Sequence, residues 1–197
     1  MLLEITNSAP PATDLGFLLY KNPANVRTSK LRFGKAHVYY TEASEQCCTA
    51  ALLMEINPIS LVRNRRGQAF HGRAIQEYVN DRPFVASSHL SVAIAEMYGT
   101  AMSGRCKGKP ELEGQKLPLA ASIPVLPCRG GEELLLGLFE PLGYEVEAEA
   151  IPLDPEFPGW GDSRYFKFRI SGEVTVQDLL THLYVLIPVL DNDKHYH

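Results

Sequence analysis

The chain has 197 residues, of which 45% are hydrophobic and 21% are charged. This length and composition are typical of a globular protein with one large domain or two small lobes, and they exclude a disordered chain, a collagen and a coiled coil. The formal net charge of −4 by itself argues against a nucleic-acid-binding protein, because such proteins usually carry a basic surplus.

The charge is distributed unevenly along the chain. Residues 1–110 carry a net charge of +5, residues 111–162 carry −9, and residues 163–197 are neutral. We therefore expect a basic end, where phosphate contacts are favoured, and an acidic end, where a basic protein partner is favoured.

The first half of the chain predicts a mixture of strands and helices. We expect a strand over 1–7, a short helix over 13–20, a strand over 31–40 with a break at Gly34, and a buried strand over 47–56. Apolar residues at three- and four-residue steps predict a helix over 88–103, with Ser87 or Ser88 as its N-cap and Gly104 as its stop.

The second half gives the clearest pattern. Tyr144 to Ala150 alternates between apolar residues and glutamates, and Arg164 to Ile170 alternates between apolar and basic residues. We therefore expect an antiparallel pair with the glutamates beside Lys167 and Arg169, and the alternative is that the glutamates form an acidic binding face. A helix is predicted over 130–142. A capping box at Thr175 predicts a last helix, which Pro188 should kink or end near Ile187.

These elements predict an α+β (mixed α/β) fold with two small lobes, each mostly antiparallel sheet packed with helices. The lobes span 1–103 and 119–197. The stretch 104–118 is rich in Lys, Gly and Pro, and the sign of the charge changes there, so it is predicted to be a linker.

Several common functional signatures are missing from the sequence. No stretch of about 18 apolar residues and no signal peptide occurs, so we expect a cytoplasmic protein that does not cross a membrane. There is no glycine-rich cofactor loop and no clustered set of metal ligands, so no cofactor or metal is expected in this chain. We expect the four cysteines to be buried free thiols (Cys47, Cys48, Cys106, Cys128). A catalytic interpretation using His37, Asp81 and His89 lacks a spacing that joins a nucleophile to a base.

Four stretches are candidates for contacts with RNA or a partner protein. A loop with four arginines and no acid is either a phosphate- or partner-contacting loop or a solvated basic surface (Arg63, Arg65, Arg66, Arg73). A polar run before Pro83 is a further candidate, although a structural turn is favoured there (Asn80, Asp81, Arg82). Arg129 precedes a predicted helix start, where free amides could hold an anion, although compensation of the helix dipole by Glu132 and Glu133 is favoured there. Trp160 lies in a Pro- and Gly-rich connection, either as an exposed protein-binding anchor or folded back on the core.

Five separated motifs also carry a family resemblance. They are Pro11 to Gly16, Phe33 to Val38, Tyr78 to Ser88, Leu126 to Leu134 and Thr181 to Asp191. In this order they resemble the N-terminal domain of the bacterial RNA-repair enzyme that methylates the 2′-hydroxyl at an RNA 3′ end.

The resemblance implies a non-catalytic domain. In that family the N-terminal half binds the polynucleotide kinase–phosphatase–ligase and activates its ligase module for repair of cleaved RNA such as tRNA. The S-adenosylmethionine and divalent metal sites of the RNA 2′-O-methyltransferase lie in a C-terminal half, which this chain is not expected to contain. The domain would contact RNA only within its complex with the kinase–phosphatase–ligase. Neither DNA nor a membrane is expected as a partner. The alternative is an independent RNA-binding module that uses the loop from Arg63 to Arg73.

Overall fold

The structure is a computed structural model that describes residues 1–57 and 84–191. In this part of the chain there are seven strands and four α-helices. The strands are β1 (Leu2–Asn7), β2 (Arg27–Leu31), β3 (Gly34–Ala43), β4 (Cys48–Ile56), β5 (Leu117–Pro127), β6 (Glu145–Pro152) and β7 (Asp162–Val174). The helices are α1 (Asp14–Leu18), α2 (Phe84–Tyr98), α3 (Gly131–Phe139) and α4 (Val176–Leu186). The predicted α+β class is confirmed.

All seven strands belong to one sheet in the order β2-β3-β4-β1-β5-β7-β6, and every neighbouring pair is antiparallel. Side chains alternate between its two faces. Leu3 and Ile5 on β1 face the hydrophobic core with Leu52 on β4 and Ala121 on β5. The helices supply the other side of this core, and α2 packs against α4.

The sheet corrects one part of the two-lobe prediction. Each lobe was expected to have its own sheet, but β1 pairs with β4 along one edge and with β5 along the other, so strands from 1–103 and 119–197 form a continuous sheet. The predicted linker also contributes to the core, because Cys106 and Leu112 are buried. Composition and charge change along the chain and predicted a boundary between the lobes. They do not predict strand pairing, because pairing joins main-chain groups that are far apart in sequence. The domain limits themselves stay a prediction.

The predicted strand over 31–40 is a hairpin. β2 ends at Leu31 and β3 begins at Gly34, so the predicted break at Gly34 lies at the turn between two paired strands. Gly34 also lies against β4. A Cβ atom at this position would collide with the carbonyl oxygen of Glu55, so the close approach of β3 to β4 requires glycine here.

Helix α2 begins earlier than predicted. Its described part runs over Phe84–Tyr98, so Ser87 and Ser88 lie inside the helix and the prediction that one of them is the N-cap is wrong. Serine is tolerated inside helices at a cost of only about 0.5 kcal/mol. The helix ends at Tyr98, and the chain stops turning after a short 3₁₀ turn, at Gly104, which has a φ of 74°.

The last helix follows the sequence prediction closely. The side chain of Thr175 accepts a hydrogen bond from the Asp178 amide at 3.0 Å, so Thr175 is the N-cap of α4. After Leu186 the chain tightens into a 3₁₀ turn over Ile187–Asp191, which contains Pro188. Of the helices that the structure describes, none is at once long enough and apolar enough to cross a lipid bilayer.

Candidate functional site

The acidic row on β6 is paired with basic residues on β7. Glu147 lies opposite Arg169 and Glu149 opposite Lys167, as the sequence predicts. Lys167 Nζ lies 3.0 Å from Glu149 Oε1, and Arg169 Nε lies 3.7 Å from Glu147 Oε1. All four side chains are exposed, so each pair adds at most about 1 kcal/mol to stability. These two pairs, which we call the charge ladder, offset two of the three glutamates of β6, and Glu145 lies opposite Ser171.

The sheet face opposite the core carries mainly polar side chains. One row crosses β1, β5, β7 and β6 in register, through Glu4, Ser122, Arg169 and Glu147. Ser122, Arg169 and Glu147 of this row line a shallow concavity of about 470 Å³. Pro124 borders it, at the irregularity in the pairing of β5 with β7. Its charged lining side chains are those of the ladder. The arrangement offers a polar contact surface, in which the Ser122 hydroxyl donates to the Glu4 carboxylate at 3.4 Å.

The connection between β6 and β7 is an ordered loop. Leu153 donates its amide to the Gly161 carbonyl at 3.0 Å, which closes the base of the loop. Asp154 Oδ1 accepts a hydrogen bond from the Glu156 amide at 2.8 Å. The main-chain carbonyl of Asp154 accepts a hydrogen bond from the Phe157 amide at 3.2 Å. These bonds within the loop fix its backbone without help from the core.

This loop presents aromatic side chains to solvent. Phe157 and Trp160 stack with ring centroids 4.9 Å apart and an interplanar angle of 16°. They are 52% and 64% exposed, and Leu153 is 60% exposed. Of the two interpretations left open by the sequence, the structure therefore supports the exposed Trp160 and not a tryptophan folded on the core. We refer to Leu153, Phe157 and Trp160 as the loop aromatic patch.

Arg129 occupies a less distinctive position. It precedes the start of α3, is half-buried, and is followed by Glu132 and Glu133 in the first turn of that helix. Those two carboxylates complement the helix dipole and would repel a bound anion. The remaining predicted contact residues lie outside the residues that the structure describes (Arg63, Arg65, Arg66, Arg73, Asn80, Asp81, Arg82).

An ion pair that the sequence did not reveal joins the predicted linker to the first helix. Lys109 Nζ lies 2.6 Å from Asp14 Oδ1 and 4.9 Å from the ring centroid of Phe17. The hydrogen bond to the buried Asp14 raises the pKa of Lys109. Nearby, Tyr20 Oη donates to the Arg105 carbonyl at 2.8 Å. No local pattern could have found contacts between residues that are 85 to 95 positions apart.

The histidines described by the structure do not form a catalytic centre. His37 lies on the sheet face opposite the core, beside Thr28 at 2.9 Å, whereas His89 stacks on the buried Phe33 with centroids 3.9 Å apart. His182 Nδ1 is 2.8 Å from the Tyr144 hydroxyl, and burial raises the pKa of Tyr144. Within residues 1–57 and 84–191, no three His, Cys, Asp or Glu side chains are grouped so that they could hold a metal ion.

The cysteines are free thiols, as predicted. Cys48, Cys106 and Cys128 are buried, whereas Cys47 is half-buried. Burial raises the pKa of Cys48 to about 11 and also raises that of Cys128. Raised pKa values suit structural thiols and disfavour nucleophilic ones, because the thiolate is the reactive form.

Comparisons with known proteins extend over the whole chain. A family model described as RNA repair, ligase-Pnkp-associating, region of Hen1 matches residues 1–197. A sequence comparison with curated proteins gives no match.

Two solved structures share the fold at low sequence identity. One, of the Pnkp1/Rnl/Hen1 RNA repair complex, has a TM-score of 0.61 and 13% identity. Another, of a Pnkp1/Rnl/Hen1 complex, has a TM-score of 0.58 and 15% identity. Each match covers 100% of this chain but only 44% and 43% of the other, so this chain spans less than half of their length.

Proposed function

The chain belongs to the ligase-Pnkp-associating region of the RNA-repair protein Hen1, and from this premise we propose that it is a non-catalytic domain that binds and activates an RNA ligase. Its partner is the ligase module of a bacterial polynucleotide kinase–phosphatase–ligase. The repaired substrate is cleaved RNA such as tRNA, and the place of action is the cytoplasm. The single observation that carries this proposal is the family match over residues 1–197.

The fold supports a docking role. In the part of the chain that the structure describes, one antiparallel sheet runs through both halves and is backed by a hydrophobic core, which holds the surface features of this part in place. Rigid partners lose little conformational entropy when they associate. The described residues also offer free surface for contact, namely the polar sheet face and the loop aromatic patch.

Activation follows from binding if the domain prefers the active form of the ligase. A partner that binds one conformation more tightly than another shifts the population toward it by the ratio of the two affinities. An increase in active ligase from about 1% to about 50% requires a roughly 100-fold preference, or about 2.7 kcal/mol. This is well within what one protein interface supplies.

The methyl-transfer chemistry is proposed to lie elsewhere. In a full-length protein, the S-adenosylmethionine and the divalent metal of the RNA 2′-O-methyltransferase would be held by a separate half, and this region would contribute the ligase contact. Binding of labelled S-adenosylmethionine to the 197-residue chain tests this division. Saturable binding at micromolar concentrations would contradict it.

The test of the proposal is reconstitution with the purified ligase module. We expect a 1:1 complex on a sizing column and a rise in the joining of nicked RNA that saturates at one equivalent of the chain. An unrelated protein of similar size and a net charge near −4 serves as the control for non-specific effects. Absence of both the complex and the rise in joining would refute the proposal.

The alternative function, independent RNA binding through the loop from Arg63 to Arg73, makes a different prediction. It requires that the isolated chain binds RNA with an affinity that falls steeply as salt rises, since phosphate contacts release counterions. Replacing Arg63, Arg65 and Arg66 with Glu would then abolish RNA binding. The ligase-docking proposal requires no RNA affinity of the isolated chain.

A further inference from the structure

We propose that the loop aromatic patch is the anchor through which this domain docks on its protein partner. Phe157 and Trp160 would insert into an apolar recess whose rim carries Lys and Arg side chains. The inference rests on the proposed function for the identity of the partner, the ligase module. The chemistry of the contact is argued from the loop alone.

The first argument is exposure. Three large apolar side chains, 52% to 64% exposed, lie within eight residues of one loop, and two of them stack on each other. Single exposed apolar residues are ordinary, but Phe157 and Trp160 touch and form a contiguous exposed aromatic surface, which is a feature typical of interaction sites. Tryptophan is also the residue type most enriched among interface anchors.

The second argument is order. The amide of Leu153 bonds to Gly161, the side chain of Asp154 bonds to the Glu156 amide, and a 3₁₀ turn spans Pro158–Trp160. The patch is therefore already arranged before a partner arrives. Pre-organisation of this kind reduces the entropy lost on association, so more of the contact energy appears as affinity.

The third argument is charge. The sequence from 145 to 162 contains six carboxylates and neither lysine nor arginine. On β6 the carboxylates of Glu147 and Glu149 face Arg169 and Lys167, but the loop adds Asp154 and Glu156, and Asp162 follows at the start of β7. This negative loop repels RNA phosphates and attracts a basic protein surface. A guanidinium on such a surface can also stack on the indole ring.

An RNA ligase fits this description. A protein that holds RNA must present Lys and Arg side chains to the phosphate backbone, and it therefore carries basic surface next to its RNA path. The acidic loop complements such a surface, and the aromatic pair supplies the desolvated contact that fixes the docking position.

Two variants separate the apolar and the electrostatic parts of the contact. Trp160→Ala removes the exposed indole. The double variant Asp154→Asn with Glu156→Gln removes two charges but keeps an acceptor oxygen at Asp154 for the turn. Tyr184→Ala is the matched control, because Tyr184 is an exposed aromatic residue, 40% accessible, on α4. All variants are made in the 197-residue chain, and circular dichroism and thermal unfolding verify that they fold.

Affinity for the purified ligase module is measured by calorimetry at several salt concentrations. We expect Trp160→Ala to weaken binding about 30-fold or more while the salt dependence stays. The charge variant should weaken binding about 3- to 10-fold at low salt and flatten the salt dependence. Tyr184→Ala should bind like the unaltered chain.

Two results would overturn the inference. In the first, the unaltered chain binds the ligase, and the Trp160→Ala and charge variants both fold and bind it equally tightly. The other is a Trp160→Ala variant that loses affinity for single-stranded RNA and keeps its affinity for the ligase. If the unaltered chain itself does not bind the ligase, the proposed function fails instead, so the two failures are distinguishable.

Discussion

Replacing Ile5 with Ala tests whether the two halves of the chain unfold as one unit. Ile5 is fully buried on β1, the strand that pairs with both β4 and β5. The change deletes three carbon atoms, which costs about 2.4 kcal/mol at about 0.8 kcal/mol each. The cavity left behind adds roughly 1 kcal/mol. We therefore expect a total loss of about 3–4 kcal/mol.

Urea unfolding and native-state hydrogen exchange measure this loss. With an m-value of about 2 kcal/mol/M, the urea midpoint should fall by about 1.5–2 M. Because β1 joins both halves, amides in β4 and in β7 should lose protection by the same free energy. The control Val26→Ala, at a position 66% exposed, should change stability by less than about 0.5 kcal/mol. Protection of β7 that stays at its original level while β4 loses protection would refute the single cooperative unit.

Three further changes test local features. Thr175→Ala should remove the hydrogen bond to the Asp178 amide and lower the free energy of unfolding by about 1 kcal/mol, whereas Thr175→Ser should keep the bond. Equal melting temperatures for the unaltered chain and both variants would contradict the cap. Gly34→Ala should lower the free energy of unfolding in urea by at least about 2 kcal/mol, because the new Cβ collides with the Glu55 carbonyl. An unchanged urea midpoint would contradict this and mean that β3 and β4 move apart easily. Cys48 has a pKa raised to about 11, so its contribution to stability is present below about pH 9, where the unfolded thiol begins to ionise, and is lost as pH rises through 11. The urea midpoint should fall less over this range in Cys48→Ala than in the unaltered chain, and identical falls would exclude this role.

The local elements of the fold could be predicted from the sequence. Alternation over Tyr144 to Ala150 and over Arg164 to Ile170 predicted both the hairpin and the pairing of its charges, and Thr175 with Asp178 predicted the start of α4. Each of these signals depends on residues close together in sequence. Local conformation and side-chain periodicity are enough to express them.

Helix α2 shows the limit of such signals. Ser87 and Ser88 have the residue type of N-caps, yet both lie inside the helix, where serine is also tolerated. Cap residue types are shared between helix starts and helix interiors. The exact start therefore depends on what surrounds the helix in three dimensions.

Only part of the candidate site could be predicted from the sequence. The sequence singled out Trp160 from the Pro- and Gly-rich connection but left its exposure undecided, because an indole suits both a core and a surface contact. The loop's own hydrogen bonds and the stacking of Phe157 on Trp160 decide this in the folded protein.

The sequence by itself determined the α+β class, the charge ladder of β6 and β7, the last helix and, through five separated motifs, the family. The tertiary structure alone decided that β1 joins both halves in one sheet, that Asp14 holds Lys109, and that the loop aromatic patch faces solvent. The physical reason is the separation of the partners. Periodicity and caps act between neighbours, whereas strand order, ion pairs between distant residues and exposure depend on how the whole chain packs.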